Sequence, residues 1–145
     1  IKEGITRIKS IARLQEIKSG KLKNICKNNR LYLDGSHNPL GAKALNEYLN
    51  TLDCKKHLIL GMMSNKDHEE YISHFNNISS ITTIDIPNQP KAIKGEELKK
   101  KLNKYPSVSY KKSIEEALNS INTDKDDLIM ITGSLYLAGE LLNLN

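Results

Sequence analysis

Residues 30–34, 57–61 and 128–132, which read RLYLD, HLILG and LIMIT, are short and apolar almost throughout. Continuous apolarity at that length suits a strand covered on both faces, the situation in a parallel sheet with helices on either side. The intervening segments agree. Residues 39–52 place Leu45, Tyr48, Leu49 and Leu52 on one helical face, and residues 67–76 do the same for Tyr71, Ile72 and Phe75. Residues 80–86 are β-branched and stop at Pro87, which has no amide to donate, so a loop is expected over 88–94. A helix follows over 95–103, with Leu98 and Leu102 inward and three lysines outward, then a short strand over 108–110. Ser113-Ile114-Glu115-Glu116 is a capping box opening a helix to Ile121, and Ser134 caps the last helix. Strands alternating with helices predict one Rossmann-like α/β domain over residues 1–145: three layers, with a mostly parallel sheet flanked by helices and right-handed crossovers.

The chemistry concentrates where the first of these strands ends. Asp34-Gly35-Ser36-His37-Asn38-Pro39 sets a carboxylate, a glycine, an imidazole and a helix start within six residues. Asn38 before Pro39 reads as an N-cap with proline at the first helical position. Open α/β sheets bind small molecules in the crevice outside strand carboxyl ends, so Asp34 and His37 fall on a ligand-facing rim. An aspartate there can accept hydrogen bonds from ribose hydroxyls; equally, it can brace its own turn, with His37 a plain loop histidine. Ser134 after Gly133 occupies a second strand-to-helix turn, where a hydroxyl and the following amides can hold a carboxylate or simply cap the helix.

Composition narrows the classes. A chain of 145 residues buries roughly two thirds of its unfolded surface and needs no staple. Cys26 and Cys54 lack ligand spacing and read as free thiols of a reducing compartment. His57, His68 and His74 have no partner at ligand spacing, so no metal site is expected. A net charge of +5 raises nucleic acid as a partner, but the lysines are dispersed and one Phe with no Trp offers little to stack bases on. No apolar run approaches the ~18 residues of a membrane span, and no signal segment opens the chain, so a cytoplasmic protein without membrane contact is expected. A receiver-like phosphoacceptor role for Asp34 would want an acidic pair after the first strand, which the sequence lacks.

Four ordered segments carry a resemblance. Arg13-Leu14-Gln15, Asp34-Gly35-Ser36-His37-Asn38-Pro39, Gly61-Met62-Met63-Ser64-Asn65-Lys66-Asp67 and Gly133-Ser134-Leu135-Tyr136 resemble, in order, signatures of the folylpolyglutamate synthase and dihydrofolate synthase family, within the Mur ligase superfamily. Two departures stand out. Ser10-Ile11-Ala12 replaces the Trp-Pro-Gly or Trp-Pro-Ala that precedes the arginine in that family, and no Gly-x-x-x-x-Gly-Lys-(Ser or Thr) loop occurs. The chain is therefore expected to be the C-terminal domain alone, beginning in mid-protein without an initiating Met, its P-loop ATPase domain lying elsewhere.

That resemblance implies an ATP-dependent ligase of folate biosynthesis and polyglutamylation. It adds L-glutamate to dihydropteroate or tetrahydrofolate through an acyl phosphate, with ATP and Mg2+ held mainly by the other domain. It implies nucleotide contacts for Arg13 and Asp34 and glutamate contacts for His37 and Ser134. Lys66, Asp67 and Asn38 are further candidates, Lys66 and Asp67 being equally readable as an ion pair or a helix cap. No catalytic residue is expected in this domain, which alone should be inactive, and the protein should be monomeric. The alternatives are a Mur-type ligase of cell-wall precursors and a basic nucleic-acid-binding module, the latter betrayed by a steep loss of affinity with salt.

Overall fold

The computed structural model describes residues 13–145, in which β1 (Gln15–Glu16), β2 (Arg30–Asp34), β3 (Lys56–Leu60), β4 (Ser80–Thr83), β5 (Val108–Tyr110) and β6 (Leu128–Thr132) form one sheet. The strand order is β1-β2-β6-β3-β4-β5, with β1 antiparallel to β2 and every other pairing parallel. Six described helices connect them: α1 (Lys21–Ile25), α2 (Pro39–Leu49), α3 (His68–Ser73), α4 (Gly95–Lys101), α5 (Ile114–Ser120) and α6 (Leu135–Leu144). The α/β architecture expected from the alternating pattern is the one observed.

Period-two alternation along the strands splits the apolar residues between two cores. Leu31, Leu33, Ile59, Ile129 and Ile131 join Leu22 of α1, Ala117 of α5 and Leu137 and Leu141 of α6 on one face. Leu58, Leu60, Leu128 and Met130 join Leu45 of α2, Tyr71 of α3 and Leu98 of α4 on the other. β3 and β6 are buried at all ten positions, which is why their sequences show no polar alternation.

This division locates the site. β2 and β6 are neighbours, yet the helix after β2 packs on one face and the helix after β6 on the other. The sheet therefore reverses its winding between them, and the carboxyl ends of these two strands flank the crevice where such sheets take ligands. Asp34 and Thr132 are register partners there.

Several boundaries differ from expectation. The fourth strand ends at Thr83, although the amide of Ile84 still donates to the Leu60 carbonyl at 3.0 Å. Helices α2, α3, α4 and α5 stop one to three residues early, with turns at Thr51 and Phe75 tightened by bonds to carbonyls three residues back. β1 and α1 have no counterpart in the sequence reading. Two and five residues long, they lie below what hydrophobic periodicity resolves, and partners distant in sequence hold them: Gln15 pairs with Leu33, and the Leu22 amide donates to Asn145 Oδ1 at 3.0 Å. The reciprocal half of the capping box is displaced by one residue. Ser113 accepts from the Glu116 amide at 3.2 Å, but Glu116 reaches back to the Lys112 amide, at 3.1 Å, rather than to that of Ser113.

Candidate ligand site at the strand ends

Asp34 is the last residue of β2, and backbone amides grip both its oxygens. The Ser36 amide donates to Oδ1 at 2.8 Å and the Leu14 amide to Oδ2 at 3.0 Å. Each oxygen keeps a lone pair, and Asp34 lines an open cleft of about 660 Å³, so the same carboxylate can brace the turn and accept from a ligand. The two uses left open by the sequence are compatible.

The Leu14 bond has a second effect. Leu14 lies at φ 48°, a left-handed conformation that costs a leucine about 1–2 kcal/mol. The bond to Asp34 helps to hold that kink, and its neighbour Arg13 lines the cleft as an exposed guanidinium. Short sequence patterns do not show such strain.

His37 is half-buried and also lines the cleft. Its Nδ1 lies 3.1 Å from the Gly35 carbonyl, which can only accept, so the proton sits on Nδ1 and Nε2 is the ring nitrogen left for a ligand. Asn38 caps α2 through its side-chain oxygen, 2.8 Å from the Gly41 amide. A Cβ at Gly41 would lie 2.7 Å from the Ser36 Cβ, so only glycine lets α2 close onto the turn. Leu14, Leu40, Ala44 and Tyr48 supply the cleft with apolar lining, and Leu40 is 78 % exposed.

Under the cleft floor lies a hydroxyl cluster that periodicity did not reveal. Tyr71 O–H donates to the Ser36 carbonyl at 3.2 Å and lies 2.8 Å from Ser36 Oγ and 2.9 Å from Thr132 Oγ1. Burial, well ahead of the Asp34 charge, pushes its phenol far above the ordinary tyrosine range, so it stays protonated. The sequence pattern placed Tyr71 inward as a core residue, which it is; its hydroxyl's destination depends on Thr132, 61 residues further along the chain.

The other candidates fall outside this cleft's lining. Ser134 Oγ accepts from the amides of Tyr136 at 3.0 Å and Leu137 at 3.4 Å, capping α6, and the residue is 2 % exposed. It adjoins the cleft through Leu135. Asp67 caps α3 by accepting from the Glu70 amide at 3.1 Å, the helix-cap alternative, and Lys66 is half-buried beside it. Among the histidines, His68 is buried against the Met63 carbonyl, while His57 bridges Ser80 at 2.7 Å and Asp127 at 2.9 Å at the opposite ends of the strands. Burial works to raise the Asp127 carboxyl, but the Asp124 amide, the His57 bond and charge, and Lys55 outweigh it and hold it below the ordinary range. Cys26 and Cys54 are both free thiols.

An open, mostly parallel α/β sheet with a cleft at its switch point, lined by Arg13, Asp34 and His37, defines a doubly wound α/β domain. The chain belongs to the Mur ligase glutamate ligase domain family, whose profile matches residues 13–135. A probable bifunctional folylpolyglutamate synthase/dihydropteroate synthase of Haloferax volcanii is 30 % identical over 115 residues, covering 74 % of this chain and 13 % of that protein. Folylpolyglutamate synthases of Mycobacterium tuberculosis, with ADP and AMPPCP, and of Thermotoga maritima share the fold at TM-scores of 0.75 and 0.74, with 20 % and 23 % identity. Each is matched over 92 % of this chain, which spans 31 % and 30 % of their lengths. A bifunctional folylpolyglutamate synthase/dihydrofolate synthase of Yersinia pestis superposes at 0.74, with 20 % identity over 91 % of this chain and 30 % of its own.

Proposed function

We propose that this chain is the C-terminal domain of an ATP-dependent ligase that joins L-glutamate to dihydropteroate, to a reduced folate, or to both. Family membership supports the reaction class, and the folylpolyglutamate synthases among its relatives support the folate branch over cell-wall precursors. The observation that carries the reading is Asp34: a carboxylate pinned by two amides at a switch-point cleft, with lone pairs to spare and Arg13 and His37 around it.

In this reading Asp34 accepts from the ribose hydroxyls of ATP, and Arg13, exposed in the cleft lining, pairs with phosphate oxygens. His37 Nε2 and the Gly133-Ser134 turn meet the incoming glutamate. ATP supplies the phosphoryl group that activates the pterin-linked carboxylate; the residues described here orient glutamate's amine toward that centre rather than moving its proton. Mg2+ in this reading is held mainly by the P-loop domain of the complete protein. A P-loop domain of the same protein closes over the cleft, the protein acts as a cytoplasmic monomer, and no described helix is long and apolar enough to cross a membrane.

Glutamate-dependent ADP release by the complete protein, given MgATP and either dihydropteroate or tetrahydrofolate, tests this. Release that requires a pterin acceptor and falls in Asp34→Asn is expected. Release without an acceptor, or none with either, would refute it.

A further inference from the structure

A phenol has one proton to give and two lone pairs to fill, and Tyr71 uses all three at the junction of the two site turns. Its O–H donates to the Ser36 carbonyl; the Ser36 and Thr132 hydroxyls, at 2.8 and 2.9 Å, donate to it. The Ser36 carbonyl also accepts from the Gly133 amide at 3.1 Å, and the Ser36 amide holds Asp34 Oδ1 at 2.8 Å. Bonds thus run without a gap from Asp34 through Ser36 and Tyr71 to Thr132 and Gly133, next to Ser134. Tyr71 and Thr132 are 0 % exposed, so water does not compete for these positions.

Each turn has its own internal anchor. Asn38 caps α2 and Ser134 caps α6 without help from Tyr71. The Gly133 amide bond to the Ser36 carbonyl and the Ser36 and Thr132 hydroxyls, 3.3 Å apart, also join the two turns; the tyrosine hydroxyl adds a buried tie at that junction, and it comes from a third element, α3, that contributes nothing to the cleft lining. We propose that Tyr71 is a positioning residue that sets the spacing between the Asp34–His37 turn and the Gly133-Ser134 turn. This rests on the proposed function for its kinetic consequence: glutamate, held by His37 on one turn and Ser134 on the other, depends on that spacing, whereas the nucleotide meets Asp34 and Arg13 on one side only.

The test uses Tyr71→Phe in the complete protein, which removes the hydroxyl and keeps the ring. Glutamate KM is expected to rise about tenfold, with the ATP KM and kcat each moving less than about threefold, the worth of one buried network bond. Thr83→Val is the control: Thr83 is also 0 % exposed and donates its hydroxyl to the Gly95 carbonyl at 2.7 Å, so it loses a buried bond without linking the turns, and glutamate KM should not move. Thr132→Val, which removes the partner on the second turn, should reproduce the glutamate effect. Hydrogen–deuterium exchange decides independently of activity: peptides covering 34–38 and 132–136 should exchange about tenfold faster in Tyr71→Phe and not in Thr83→Val. Unchanged exchange in those peptides overturns the proposal whether or not the protein is a ligase. Equal effects of Tyr71→Phe and Thr83→Val overturn it too, leaving Tyr71 a core residue. Absent ligase activity with accelerated exchange overturns the function and keeps the positioning role.

Discussion

Asp34→Asn separates the bracing and binding uses of the carboxylate at nearly constant volume. Asp34 is 9 % exposed and accepts from two amides, Ser36 on Oδ1 and Leu14 on Oδ2. An asparagine offers one acceptor oxygen; its NH2 must face the other amide, donor against donor. Losing one hydrogen bond to a charged acceptor costs roughly 1.5–3 kcal/mol, and about 2 kcal/mol is the working figure because water can enter from the cleft. For 145 residues the unfolding entropy near the midpoint is roughly 0.3 kcal/mol/K, so the melting temperature should fall by ~7 °C. Nucleotide affinity in the complete protein should drop about 10- to 100-fold, since the ribose loses a charged acceptor. Differential scanning calorimetry and equilibrium nucleotide titration read the two effects separately. A melting temperature within ~1 °C of wild type would mean the amides are not held as described. Unchanged nucleotide affinity would remove Asp34 from the nucleotide site.

Two further outcomes follow from the structure. Gly133 has φ +117°, and a Cβ there would lie 2.4 Å from the Gly61 carbonyl oxygen; Gly133→Ala should therefore lose more than ~3 kcal/mol, seen as a melting temperature lower by over ~10 °C, and a loss under ~1 kcal/mol would show the turn to be loose. Asp127 is held below its ordinary value of 3.8, so its ionised form favours the fold: the contribution is complete above about pH 5 and disappears as pH falls through 3.8 toward the lower folded value. Urea midpoints measured from pH 6 to 3 should decline more steeply for wild type than for Asp127→Asn, and parallel curves would contradict the lowering of the Asp127 carboxyl by the Asp124 amide, His57 and Lys55.

Legibility tracked how local each feature is. Asn38, Asp67, Ser113 and Ser134 were readable as helix starts because a cap involves atoms within three or four residues, and each accepts an amide in the structure. The cluster from Asp34 to Asn38 was visible as chemistry because it is contiguous. Arg13 joins it in the cleft through a left-handed Leu14 that the string Arg-Leu-Gln does not announce. The return bond of the capping box falls one residue before the position the pattern predicts, since a glutamate side chain chooses between two adjacent amides on geometry alone.

By itself the amino-acid sequence determined the element types, the polar turns after the strands and the family to which they belong. Those follow from periodicity, caps and contiguous motifs, whose energies are spent within a few residues. Tertiary structure decided the rest: the order β1-β2-β6-β3-β4-β5, which puts residues 34 and 132 side by side, the short β1 and α1, and the hydroxyl of Tyr71 joining both turns. Strand neighbours are selected by how two apolar faces are best covered at once, a property of the whole chain. The cleft exists only where that selection brings Asp34 beside Thr132.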